Sequence, residues 1–181
     1  CTLADPGFFV AVAGATEQTP CAAGTFSDVA GAVSCTQAAP GFFVPNEGAT
    51  EATACDLGSY SAVSGATACT LADPGSFVPT VAATQQTLCA AGTFSDVAGA
   101  VSCKQAAPGF FVPNEGAIEA TACDLGSYSA VSGATACTLA DIGFYVDVTA
   151  ATEQTACPAG TTTESEGSTD VSACMPMSTP I

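Results

Sequence analysis

The residues with the most chemistry on offer are the eleven cysteines, Cys1, Cys21, Cys35, Cys55, Cys69, Cys89, Cys103, Cys123, Cys137, Cys157 and Cys174. Oxidised, such thiols cross-link a chain; gathered at short spacing, they hold zinc. Successive spacings alternate between 20 and 14 until a final 17. No retained pair has zinc-ligand spacing, so no metal site is expected from them. Cys174-Met-Pro-Met177 offers soft sulfur to Cu(I), but it reads more simply as a frayed tail after the last cross-link. Carboxylates recur too, as Glu47 and Glu51, again as Glu115 and Glu119, and as Asp5, Asp73 and Asp141. Oxygen-rich clusters suit calcium, yet no EF-hand loop is present, and the simpler reading is a solvated acidic surface. Paired carboxylates for hydrolysis need unlike environments, which equal copies do not provide. The chain has no His, so the commonest general base is missing. No catalytic residue and no cofactor is expected, and the chain is read as a non-enzyme.

Charge narrows the partners. Seventeen acidic residues against one basic residue give a formal charge of −16 over 181 residues. Lys104 alone cannot neutralise a phosphate backbone, which excludes nucleic acid, and the same imbalance disfavours anionic lipid. No apolar run reaches the length of a membrane span. The cysteine content points to an oxidising, extracellular or cell-surface setting. The chain lacks a signal-peptide pattern and does not begin with Met, so it reads as a mature or truncated piece. The hydrophobic fraction is 48%, mostly Ala and Val, with 10 Phe, 3 Tyr and no Trp. That is too few large side chains for an ordinary core of this size.

The elements that position the cysteines are repeats. Glycine recurs every 17 residues from Gly7 to Gly160. Two places after each glycine stands an aromatic, Phe9, Phe26, Phe43, Tyr60, Phe77, Phe94, Phe111, Tyr128 and Tyr145, until Thr162 breaks the series in an atypical last module. A second small residue recurs at the same period, as Gly14, Gly31, Gly48, Gly65, Ala82 and onward to Gly167. The cysteine period is 34, and a longer period of 68 lies above it. Residues 35–68 and 103–136 differ only at Thr36/Lys104 and Thr50/Ile118. Tandem repeats are therefore assigned to 1–174, with blocks 1–68, 69–136 and 137–174, and a C-terminal tail to 175–181.

Each module reads as a β-hairpin. Gly41-Phe-Phe-Val44 suits a short strand, Pro45-Asn-Glu-Gly48 is turn chemistry, and residues 49–54 suit a return strand. No 3.6-residue period persists. The expected fold class is all-β, small and disulfide-rich: an elongated tandem array of ten hairpin modules of about 17 residues. One such hairpin cannot stabilise itself. Cross-links and stacking of module on module must supply cohesion, and the aromatic series is expected to stack, each ring covered by its neighbour.

Aligned on the 17-residue register, the modules share a Cys-x-x-Cys-x-x-Gly-x-aromatic template in which alternate modules keep alternate cysteines. Cys21-Ala-Ala-Gly-Thr-Phe and Cys55-Asp-Leu-Gly-Ser-Tyr carry the likeness. The pattern resembles the ephrin-receptor-like cysteine-rich repeat, and it is similar to the single-disulfide module of tumour-necrosis-factor-receptor domains. The resemblance covers nearly the whole chain, with half the family's cysteines absent. It implies that a cysteine in the second slot bonds to the first slot 14 residues on. The implied bridges are Cys21–Cys35, Cys55–Cys69, Cys89–Cys103 and Cys123–Cys137. Cys157 should pair at Val171, and Cys174 is the substitute at hand. Cys1 is then left over, through truncation of a longer array, an intermolecular bond or lipidation. The rival frame, beginning Cys1–Cys21, leaves Cys174 instead.

Neither Asn46 nor Asn114 sits in an N-glycan acceptor motif. Thr16, Thr50, Thr84 and Thr152 recur at one register position and are candidates for O-glycans. Near-identical copies suit a structural role: the subunit of an extracellular filament, hair or stalk, whose partner is another copy of itself, head to tail. A multivalent adhesin or receptor-like binding array is the alternative, because equal copies also raise avidity.

Overall fold

The computed structural model describes residues 3–12 and 14–177. The described chain is all-β apart from one 3-10 turn, Val171–Ala173, with twenty two-residue strands in ten two-stranded sheets. It divides into two units, Cys1–Thr87 with Val97–Ser102, and Leu88–Asp96 with Cys103–Ile181. Each module is counted from its 17-period glycine as position 0, so that Gly7 heads module 1 and Gly160 heads module 10.

One local design recurs. In module 3 the segment Ala39-Pro-Gly-Phe42 makes a tight turn, closed by the Phe42 N–H donating to the Ala39 carbonyl at 3.0 Å. Proline presets the second residue of such a turn and glycine takes the third, where Gly41 has φ +86°. The outgoing strand Phe42–Phe43 follows at once, and the return strand is Thr53–Ala54. Their antiparallel register is Phe42↔Ala54 and Phe43↔Thr53. Module 7 repeats it as Phe110↔Ala122 and Phe111↔Thr121. The last hairpin pairs Thr161–Thr162 with Met175–Pro176, so it reaches into the segment assigned above as tail.

Cohesion between modules comes from the backbone. In the first unit, Gly41 N–H donates to Ser61 O at 2.8 Å, Val44 N–H to Ala66 O at 2.9 Å, and Gly65 N–H to Ala38 O at 2.7 Å, all joining module 3 to module 4. In the second unit the same three bonds join module 7 to module 8, Gly109 to Ser129, Val112 to Ala134 and Gly133 to Ala106. Each bond is worth about 0.5–1.5 kcal/mol net, and the set recurs at junction after junction within a unit.

Contact also skips a module. A Cβ built on Gly41 would lie 2.2 Å from the Ala82 carbonyl oxygen, two modules on, and one on Gly109 would lie 2.2 Å from the Ala150 carbonyl. This Cα–carbonyl approach excludes any side chain. It accounts for the glycine period more fully than turn chemistry does.

The buried positions are small. Position −3 alternates Ala and Cys, and Ala4, Cys21, Ala38, Cys55 and Ala72 in the first unit are at most 3% exposed. Position +3 alternates Ser and Val: Ser27, Val44, Ser61 and Val78 are likewise buried. Ala106, Cys123, Ala140, Val112, Ser129 and Val146 repeat the arrangement in the second unit. The buried serines find partners, as Ser61 Oγ does on Val63 O at 3.2 Å.

Phe9, Phe26, Phe43, Tyr60, Phe77, Phe94, Phe111, Tyr128 and Tyr145 are all half-buried. Successive strand residues point to opposite faces, so burial of position +3 puts the ring at +2 on the other face. The rings flank the buried rows, as Tyr128 does beside Ala140 and Val146. Tyr128 of module 8 thereby packs against Ala140 and Val146 of module 9, so a ring contact joins the backbone bonds at that junction.

Position +7 is left-handed in every module, glycine in most, but Ala82 and Ala150 carry φ of 53° and 55°. Left-handed backbone costs a non-glycine residue about 1–2 kcal/mol. At the same position Gly48 has open space where a Cβ would go, so the cost is conformational. Ala82→Gly is therefore expected to stabilise the chain by about 1 kcal/mol, read as a shift in the denaturation midpoint.

Candidate functional site

The features that set modules apart are the clamps across the base of the hairpin, present in some modules and absent from others. Position −3 and position +11 face one another there. In modules 2, 4, 6 and 8 they form the disulfides Cys21–Cys35, Cys55–Cys69, Cys89–Cys103 and Cys123–Cys137, and in module 10 Cys157 bonds to Cys174 at position +14, all with Cα atoms 5.7–5.8 Å apart. In the first four the −3 sulfur is fully buried and its partner half-buried. The fifth bridge spans 17 residues instead of 14. Its three extra residues are taken up by the turn Val171–Ala173, capped by Asp170, whose carboxylate accepts from Ser172 N–H at 2.6 Å. That bond holds the Asp170 carboxyl below its ordinary range. Cys1 lies outside the described residues.

A second clamp replaces the disulfide in modules 1, 5 and 9. Gln18, at the position that holds cysteine in the next module, accepts from Asp5 N–H at 2.8 Å and donates from Nε2 to the Asp5 carboxylate at 2.9 Å. Gln86 does the same with Asp73, at 2.7 and 2.8 Å. Gln154 does so with Asp141, at 2.7 and 2.7 Å. Sequence reasoning took these aspartates only as acidic surface. The missed signal was co-occurrence: every Gln at +11 has an Asp at −2 of its own module. Modules 3 and 7 carry Ala52 and Ala120 at +11 and have neither clamp. Gln86→Ala is expected to cost roughly 1 kcal/mol, detected as faster amide exchange in module 5 and not in module 3.

The rest of the surface carries little that is organised for chemistry. Among the described residues no group of three or more metal-ligating side chains converges. Lys104 donates to Asp96 at 2.6 Å, with both side chains about half exposed, and sits 6.0 Å from the Phe94 ring centroid. The Lys104 hydrogen bond, first among the causes, holds the Asp96 carboxyl below its ordinary range. Any stability from that pair is present above the unfolded-state pKa and lost as pH falls through the folded one. Lys104→Thr, the residue of the sister copy at Thr36, should return the Asp96 titration toward the ordinary carboxylate range by NMR. Thr16, Thr50, Thr84 and Thr152 are all exposed. Among the described residues no helix is long and apolar enough to cross a membrane.

Residues 126–174 match the family model described as tyrosine-protein kinase ephrin type A/B receptor-like, which takes in modules 8 to 10. No curated protein matches the chain. The family match and the repeated disulfide-bonded hairpins fit a cysteine-rich repeat of the ephrin-receptor-like and tumour-necrosis-factor-receptor-like kind. They mark the chain as an extracellular, disulfide-rich tandem-repeat module.

Proposed function

We propose that the protein is the structural subunit of an extracellular filament, hair or stalk, extended by stacking one copy on the next. The observation that carries this reading is the way modules join. Within each unit, modules bond to their successors through the same backbone donors and the same small buried positions, with the Thr163 hydroxyl replacing a carbonyl acceptor at the last junction. Addition of this kind has no built-in end, and between chains it gives a heterologous, non-closing contact. Oxidised staples suit an extracellular structural element. The identical turns Asn46-Glu-Gly48 and Asn114-Glu-Gly116 favour a repeated building unit over a receptor with diversified loops.

Electron microscopy of native, non-reduced material tests it. Uniform filaments with an axial repeat commensurate with the module are expected. Dispersed short particles that bind cells or sugars would replace the filament with a multivalent adhesin. On the same reading the exposed threonines Thr16, Thr50, Thr84 and Thr152 are sites for O-glycans. Intact-mass spectra of native chains should then exceed 17.5 kDa by whole sugar residues, and a bare polypeptide mass would remove the glycans from the account.

A further inference from the structure

Residues 21–68 and 89–136 are identical except at Thr36/Lys104 and Thr50/Ile118, and the first of these differences removes a cation from one copy of a shared site. We infer that the groove where module 2 meets module 3, together with Asp28, is a binding site for a lysine side chain presented by a basic partner protein. The inference goes beyond the filament reading and does not depend on it.

Lys104 shows what the place accepts. It stands on the return strand of module 6, directly across from Phe94. Its ammonium donates to the Asp96 carboxylate at 2.6 Å and lies 6.0 Å from the centroid of the Phe94 ring, within reach of the negative face of that ring. Module 2 has the same frame. Thr36 pairs with Phe26 in the same register, and Thr25 and Thr93 make the same 2.7 Å bonds to the Ala22 and Ala90 carbonyls. Phe26 and Asp28 stand where Phe94 and Asp96 do, but Thr36 brings no cation. Among the described residues Asp28 has no ion pair, and Lys104 is the only basic side chain in the sequence.

The groove supplies the rest of the site. In module 1 the base of the hairpin is bridged by the Gln18–Asp5 clamp. Module 3 has Ala52 and Ala39 at those two positions, and a groove of about 400 Å³ lies there, with Phe26, Phe42, Ala39, Ala52, Thr36 and Glu51 in its lining. The two rings are half-buried, and the Thr36 and Glu51 side chains are exposed at the rim. An apolar floor with carboxylates beside it fits lysine, whose methylene stem lies along apolar surface while the ammonium keeps to charge and water. A bare metal ion would leave that floor unused, and an anion would meet carboxylates of its own sign.

Charge selects the occupant. A formal charge of −16 draws a basic protein toward this surface and raises its rate of encounter. A second copy of the chain is a poor donor, because its one lysine is already held by Asp96. The lysine is taken over arginine because the copy that carries its own cation carries an ammonium, a compact charge on a flexible stem, and not a planar fork.

The test uses the full oxidised chain at about 0.15 M salt, where exposed charges are screened beyond ~8 Å, and follows its phenylalanine rings by NMR. The probe is Nα-acetyl-lysine amide, with Nα-acetyl-norleucine amide as the match that lacks the charge. Both variants copy a hairpin the chain already folds. Thr36→Lys gives module 2 the lysine of module 6, and Lys104→Thr gives module 6 the threonine of module 2. In wild type the lysine probe should shift the Phe26 and Phe42 ring signals saturably and leave Phe94 unmoved. Thr36→Lys should weaken that response by about fivefold or more, and the norleucine probe should bind more weakly than the lysine probe by a similar factor. Lys104→Thr should make Phe94 respond as Phe26 does. A Phe26 response that persists undiminished in Thr36→Lys would overturn the site, as would a norleucine probe that binds equally well or rings that do not respond at all. Spermidine that shifts the rings at concentrations where the lysine probe does not would overturn the protein partner.

Discussion

Gly41→Ala is expected to cost on the order of 4 kcal/mol, near the top of the range for single substitutions. Two penalties combine. Gly41 has φ +86°, which costs an alanine about 1–2 kcal/mol. Its new Cβ would also come within 2.2 Å of the Ala82 carbonyl oxygen, and both partners are backbone, so neither can move aside alone. Gly48→Ala in the same module is the internal control. Gly48 has φ +71° and nothing within 4 Å of an added Cβ, so only the conformational penalty applies. Denaturant titration of the two variants should separate them by about 2 kcal/mol or more. Equal losses would mean that the skip contact between modules 3 and 5 does not constrain the fold.

Full reduction of the five bridges is expected to unfold the chain. Each closes a loop whose entropy is worth about 3 kcal/mol, and five together match the whole of an ordinary domain's stability, about 5–15 kcal/mol. Loss of dispersed near-ultraviolet signal on adding reductant at neutral pH, and its return on reoxidation, would show this. One bridge can be removed with a template the chain itself provides. Cys55→Ala with Cys69→Ala converts module 4 to the Ala38/Ala52 pairing of module 3, and should cost about 2–4 kcal/mol without changing the hairpin. A reduced chain that keeps its melting temperature would assign cohesion to the backbone bonds alone.

Much of the fold was legible because the repeat is short and nearly exact. A glycine at a fixed period, an aromatic two places on and turn residues after it define a hairpin from local chemistry. The resemblance to the ephrin-receptor-like repeat implied the frame that bonds Cys21 to Cys35, while the sequence left the rival frame from Cys1 to Cys21 open. What was not legible depended on distances between modules. The periodic ring stood out in the sequence, while the buried Ser or Val one place later did not. Ser27 and Ser61 carried no burial signal in the sequence and are buried, their hydroxyls donating to carbonyls in the turn that follows. Gln18 and Asp5 are 13 residues apart and unremarkable alone. Only the base of the hairpin, where cysteines meet in the neighbouring module, brings them together.

The unequal clamps give the chain a graded response to tension. A bridged module cannot lengthen by the residues its disulfide encloses, about 45–50 Å of extended chain for a 14-residue loop. A Gln–Asp clamp yields to water, and modules 3 and 7, with Ala52 and Ala120 at that position, have no side-chain lock to release. Pulled from its ends, the chain should give first where it is unlocked, then at the amide clamps, and stop at the sulfur bridges, so slack is metered out in short steps between fixed stops. Force spectroscopy on the oxidised chain would record those steps as a contour length well short of the fully extended polypeptide, with the missing length restored by reductant.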